Sequence, residues 1–172
     1  MSRPPIAPTR SPVKPDMMVS YFEHLMIQIG KILKEDNSTI QLNFKGFREL
    51  LSEYSELKID SYEKAWELAR DFNMWAEYFS GIANLIQKEY LDSETKKTEL
   101  QSIASFDADS TKVANGDRLS NKDERVVKAR NSRNAYKAFY DELMNMLSFL
   151  ERGHYHCKST YEMAKTLKDK DF

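Results

Sequence analysis

From Asp16 to Phe172 the chain contains no proline, because all five prolines (Pro4, Pro5, Pro8, Pro12 and Pro15) fall within the first 15 of 172 residues. Glycine is equally sparse, at five. Sandwiches, barrels and α/β folds need these residues to punctuate their turns. Their scarcity, with abundant Glu, Lys, Leu, Met and Ala, points to an all-α fold. Cys157 is the only cysteine, which excludes an internal disulfide. Met1 leads into SRPPIAPTRSPVKP, which has no apolar signal-peptide region, and no uncharged run approaches the roughly 18 apolar residues of a membrane span. A cytoplasmic protein with no membrane contact is expected. An excess of one charge sign is missing too: 26 Lys+Arg against 27 Asp+Glu leave a net charge of -1, so net charge names no partner.

What the chain does have is helical periodicity. Its length suits about one domain. Residues 1–15, Pro-rich with Arg3, Arg10 and Lys14, read as a disordered basic tail, being too poor in apolar groups to offset ordering entropy. Residues 16–172 read as a single helical domain with helices at about 17–35, 45–57, 61–104 and 121–168. Asp16 is placed to cap the first, in which Phe22, Leu25, Ile29, Ile32 and Leu33 recur at helical spacing. Asp60-Ser61-Tyr62-Glu63 resembles a capping box for the third. Ile40, Leu42 and Phe44 alternate, but with no partner strand in view the stretch is read as loop. Residues 105–120, SFDADSTKVANGDRLS, also read as loop, with Ser120 and Asp123 placed to cap the last helix.

The two long segments carry the strongest pattern. Tyr62, Ala65, Ala69, Phe72, Ala76, Phe79, Ala83, Ile86 and Tyr90 step alternately by three and four, with Trp66 and Trp75 alongside. From Val126 through Ala129, Arg133, Tyr136, Tyr140 and Leu143 to Ala164 the same alternation recurs. Such a/d spacing is a heptad seam and demands a helical partner. The expected architecture is a long antiparallel helical hairpin with heptad seams, flanked by two shorter N-terminal helices. Both seams suit packing within the chain and packing between subunits, and a homo-oligomer is expected.

Charge is unevenly spread. Residues 17–100 hold 10 Lys/Arg against 15 Asp/Glu, whereas 112–137 hold eight bases against Asp117, Asp123 and Glu124, a local +5. On a helix Lys122, Arg125, Arg130, Arg133 and Lys137 fall within an arc of about 140°, able to face one strand of phosphates; Lys128, outside the arc, is a further candidate contact. Tyr136 and Tyr140 lie on that side and suit stacking on unpaired bases. The same charges also suit pairing with the acidic 49–71 region. Arg133 at a seam position is the feature a dry core would not contain, and it points to an opening towards solvent, an acidic partner or nucleic acid. Other chemistry finds little support. His154 and Cys157 share a helical face, but His24 is far away in sequence and two ligands do not complete a zinc site. There is no phosphate loop, no G-x-S-x-G and no H-E-x-x-H, and nothing activates Cys157. Asp107, Asp109, Asp117, Asp123 and Glu124 alternate with Ser, Asn and Lys as solvated loops do, rather than converging as a magnesium nuclease requires. No enzymatic activity, metal or cofactor is expected.

The stretch from Tyr62 to Tyr90, with Tyr62, Ala65, Trp75 and Ile82 on a long helix, followed by Val127 to Arg130 and DERVVKARNSRNAYKAFYDELMNMLSFLERGHYHCKSTYEM, resembles the phage recombination mediator family, the UvsY-like proteins, over about residues 60–165. The resemblance implies a helical, ring-forming, non-enzymatic protein. It further implies binding of single-stranded DNA and loading of a strand-exchange recombinase onto DNA covered by single-strand-binding protein. It matches the family's basic Lys-Ala-Arg stretch to Lys128, Ala129 and Arg130. In the family that stretch follows the first long helix closely; here that place reads YLDSETKKTELQ, with Lys96 and Lys97 as its only bases. The second expectation is a phage structural or assembly adaptor of helices, with no nucleic-acid binding.

Overall fold

The computed structural model describes residues 15–58, 61–107 and 113–168. The expected N-terminal tail, apart from Pro15, lies outside them. Five helices follow in order: α1 (Pro15–Glu35), α2 (Phe47–Ser55), α3 (Tyr62–Asp107), α4 (Val113–Ser120) and α5 (Glu124–Lys168). No strand occurs among the described residues, and the fold is all-α.

Helix ends follow local chemistry. α1 begins at Pro15, two residues before the expected start and with Asp16 inside it; proline suits a first turn, whose N–H groups have no helical partner. It ends where Asn37 turns to φ 56, a left-handed conformation asparagine tolerates. Ser38 N–H then reaches Leu33 O at 2.8 Å and Asn37 N–H reaches Lys34 O at 3.3 Å, the paired bonds of a Schellman end. α2 starts after Gly46, at φ 90, where a side chain would be strained. Ser61 O accepts the Ala65 N–H at 2.9 Å at the start of α3, while the expected cap Asp60 lies outside the described residues. Asp123 caps α5, its Oδ1 accepting the Arg125 N–H at 2.8 Å. Ser120 closes α4 and is buried, its carbonyl accepting the Asp123 N–H at 3.1 Å.

The Asp123 carboxyl is held down at about 2, chiefly by the Arg125 side chain and then by its backbone N–H. Its folded value is depressed, so its contribution is full above the ordinary 3.8 and is lost as pH falls towards 2. Asp123→Asn is therefore expected to flatten the acid limb of stability in that window while keeping the helix start. Asp123→Ala should lower the thermal midpoint at neutral pH as well. Melts followed by circular dichroism across that acid window and at pH 7 check both.

α3 and α5 run antiparallel in one chain for most of their length. Arg125 reaches Asp107 at one end, Arg133 reaches Glu94 further along, and Tyr62 meets Tyr161 at the other end. Ala65, Ala69, Phe72, Phe79, Ala83 and Ile86 of α3 are buried, as are Val126, Ala129, Tyr136, Leu143, Leu150, Cys157 and Ala164 of α5. α1 and α2 cover one side, where Phe22, Phe44, Phe47, Phe79 and Phe139 form a cluster with centroids 4.9 to 6.2 Å apart. Ile40, Leu42 and Phe44 lie against this core without pairing as a strand, which accounts for their alternation.

The stretch 105–120 departs from expectation. α3 continues to Asp107 and residues 113–120 form α4. VANGDRLS is a poor helix former in isolation; its helix depends on packing against α3. A Cβ at Gly116 would lie 2.8 Å from Ser105 Oγ and 3.2 Å from Ser105 O, so the missing side chain lets α4 lie on α3. Periodicity over so short and polar a segment carries no such signal.

Candidate nucleic-acid interface

Because α3 and α5 are antiparallel, the end of α3 lies beside the start of α5. That brings Lys96 and Lys97, which are remote in sequence, next to the 122–137 window. Residues 93–107 and 113–137 together hold nine Lys/Arg against six Asp/Glu. The hairpin thus has one basic end.

The expected site residues fall into three groups. Lys128 lies on the flank of α5 that faces α1 and Arg130 and Lys137 on the opposite flank, each with a modest partner: Lys128 Nζ is 3.7 Å from Glu35 Oε2, Arg130 Nη2 donates to Asn121 Oδ1 at 2.5 Å, and Lys137 Nζ donates to Asp141 Oδ2 at 2.7 Å. Lys122 is exposed but sits in the turn before α5, not on the helix. Asp141 raises the Lys137 ammonium, keeping it charged. Side chains of this exposure gain little from such pairs and exchange partners readily.

Arg125 and Arg133 are more firmly engaged. The Arg125 guanidinium reaches Asp123 through Nε (3.1 Å to Oδ1) and Nη2 (2.8 Å to Oδ2), with Asp107 Oδ2 at 3.5 Å. Two of the carboxylates weighed as magnesium ligands are thus turned onto one arginine. Arg133 lies between the long helices, its Nε 2.6 Å from Glu94 Oε2, its Nη1 donating to Asn134 Oδ1 at 2.9 Å, and Lys97 on the same Glu94 at 3.0 Å. Lys97 first, then Arg133, holds the Glu94 carboxyl below its ordinary value. The Arg133 Nε is buried and its contact with Glu94 is not aligned as a hydrogen bond. The cation expected to mark an opening is instead part of an interhelical ion network. None of the partners of these cations lies in 49–71, where Lys64 takes Glu53 and Glu67.

Tyr136 requires correction. Its ring is fully buried, so it presents no face for a base, and its hydroxyl donates to Asp36 Oδ2 at 2.8 Å. The arc geometry placed it on the basic side of α5, but α1 packs over that side at this level and encloses the ring. Tyr140 is half-buried against the core. Burial first, then Asp36, raises the Tyr136 hydroxyl above its ordinary 10.0. A raised folded value means a contribution that is full below the ordinary value and lost as pH rises beyond it. Tyr136→Phe is expected to cost about 1–2 kcal/mol at neutral pH and to reduce the alkaline fall in stability. Urea unfolding at pH 7 and pH 11 checks this.

The His154–Cys157 pair serves packing: His154 Nδ1 lies 2.8 Å from Ala69 O and Cys157 is buried, its thiol pushed up to about 11 by desolvation. Among the described residues no three His, Cys, Asp or Glu side chains gather as metal ligands, and no helix is long and apolar enough to cross a membrane. Lys96 and Lys97 are the site residues that the 122–137 window leaves out; they emerge only once the helices are paired. No protein-family model, curated protein or solved structure matches the chain.

Proposed function

We propose that this is a non-enzymatic helical protein that binds single-stranded DNA at the basic end of its hairpin and acts as a recombination mediator, assembling with further copies of itself and helping a strand-exchange recombinase onto DNA covered by single-strand-binding protein. The observation that supports the reading most is that one end of the hairpin carries Lys96 and Lys128 on a shared cleft, with Lys122, Arg130 and Lys137 on the same stretch of the hairpin around the turn and the far side of α5, their partners weak enough to yield to phosphates. The roles of recombinase and single-strand-binding protein rest on the family resemblance. With no exposed tyrosine at Tyr136, binding rests on backbone charge rather than base stacking, and indifference to base sequence follows. Fluorescence polarisation with a labelled oligonucleotide tests this. Binding should be measurable at low salt and weaken by about 0.7 in log affinity per log unit of salt for each phosphate neutralised; absence of binding at low salt sinks the reading.

The second reading, a helical assembly adaptor, draws on the opposite end of the hairpin, where Trp66, Tyr155 and Met163 are each more than half exposed. It predicts a stable oligomer with no affinity for nucleic acid.

A further inference from the structure

At the basic end the last turn of α1, the 93–100 stretch of α3 and the first turns of α5 enclose a cleft of about 340 Å³. Lys96 enters from α3 and Lys128 from α5; Ser93 and Ser132 add hydroxyls from the same two helices, and Glu35 and Asp36 close the α1 side. A second hollow, of about 390 Å³, adjoins it and shares Glu35, Lys128 and Ser132. Three features set this cleft apart from the other basic surface. Lys96 takes part in no ion pair among the described residues. Lys128 is held only by Glu35, at 3.7 Å, with both side chains more than half exposed. The Tyr136–Asp36 bond at 2.8 Å anchors the chain just beyond α1, so the Asp36 carboxylate keeps a fixed place while Glu35 stays free to move.

Resting on the single-strand-binding reading above, we propose that this cleft holds one phosphodiester of the bound strand between Lys96 and Lys128, with Glu35 as an internal counter-ion that the phosphate displaces. A phosphodiester brings a full negative charge and two unesterified oxygens, enough to accept from both ammonium groups, and Ser93 and Ser132 supply neutral donors beside them. Glu35, once displaced, swings into water at small cost because its pair with Lys128 is exposed. The carboxylate therefore lowers affinity while the strand is absent and discourages anions that cannot also engage the rest of the basic end.

The test compares Glu35→Gln, Glu35→Ala, Lys96→Ala and the double variant Arg130→Glu/Lys137→Glu with the unaltered full chain, using a labelled oligothymidine and a salt series. Melts confirm that the variants fold. Both Glu35 variants are expected to bind several-fold more tightly. Lys96→Ala should bind several-fold more weakly, with a salt slope smaller by about 0.7. If the Glu35 and Lys96 variants bind as the unaltered chain does while the double charge reversal binds weakly, the cleft assignment fails and the basic-end reading stands. If no protein binds, both fail. Competition with inorganic phosphate at matched ionic strength separates the sources of the anion: displacement no greater than chloride gives supports a phosphate of the strand, and efficient displacement overturns the assignment in favour of a free-phosphate site.

Discussion

Alanine in place of Gly153 is expected to destabilise the protein, whereas alanine in place of Gly30 or Gly81 is expected to stabilise it. All three glycines lie inside helices, where glycine ordinarily costs about 0.5–1 kcal/mol relative to alanine. At Gly30 and Gly81 a Cβ would meet nothing within 4 Å, so that gain should appear nearly in full. At Gly153 a Cβ would lie 2.6 Å from Phe72 Cε1 and 2.7 Å from its Cζ. Phe72 is fully buried, with Tyr54 edge-on at 4.9 Å and Phe149 at 6.1 Å, so its ring cannot swing aside. The methyl must push α5 off α3, and overpacking of this kind costs about 1–3 kcal/mol. Phe72→Leu in the Gly153→Ala background should recover part of the loss, since the smaller side chain vacates the ring's space. A double-mutant cycle in urea with non-zero coupling checks the contact; additive costs would mean that the helices do not meet there.

Charge reversal at Lys128, Arg130 and Lys137 together is the second change with a large expected effect. If each neutralises one phosphate, replacing all three with glutamate should reduce the salt slope by about 2 and lower affinity at low salt by one to two orders of magnitude, roughly uniformly across sequences. Their partners are an exposed carboxylate, an amide and an i,i+4 aspartate, so the thermal midpoint should change little. Arg133 belongs in a different experiment. Glutamate there would face Glu94 across the helix interface and strand Lys97 on a crowded acidic pair, so the variant should melt earlier whatever happens to binding. Reversal at Lys158 and Lys165, at the far end of α5, should leave binding unchanged.

How much of this was legible in the sequence depended on the range of the interactions involved. The long helices were readable because their apolar positions repeat over many turns, and the positions from Phe72 to Ile86 and from Val126 to Leu150 that the spacing marks are largely those found buried. α4 was not readable. Eight residues with only Val113, Ala114 and Leu119 apolar offer no periodicity, and its helix depends on a glycine approaching Ser105. Gly153 was equally silent, since a glycine within a helical pattern looks like a local cost until the facing Phe72 is known. At the basic end, spacing along α5 marks Arg130 and Lys137 as surface cations, while Lys128 enters through the Lys-Ala-Arg resemblance. It failed for Tyr136 because a helical arc says nothing about α1 packing over it, and for Arg133 because Glu94 lies 39 residues away. Lys96 and Lys97 joined the site only through antiparallel pairing.

The most direct measurement of the central claim is lysine acetylation footprinting by mass spectrometry, with and without saturating single-stranded oligonucleotide at low salt. Binding at the basic end predicts protection of Lys96, Lys122, Lys128 and Lys137, with Lys58, Lys64, Lys158 and Lys165 reacting as in the protein alone. Protection confined to the second set, or no change at any lysine, would contradict it.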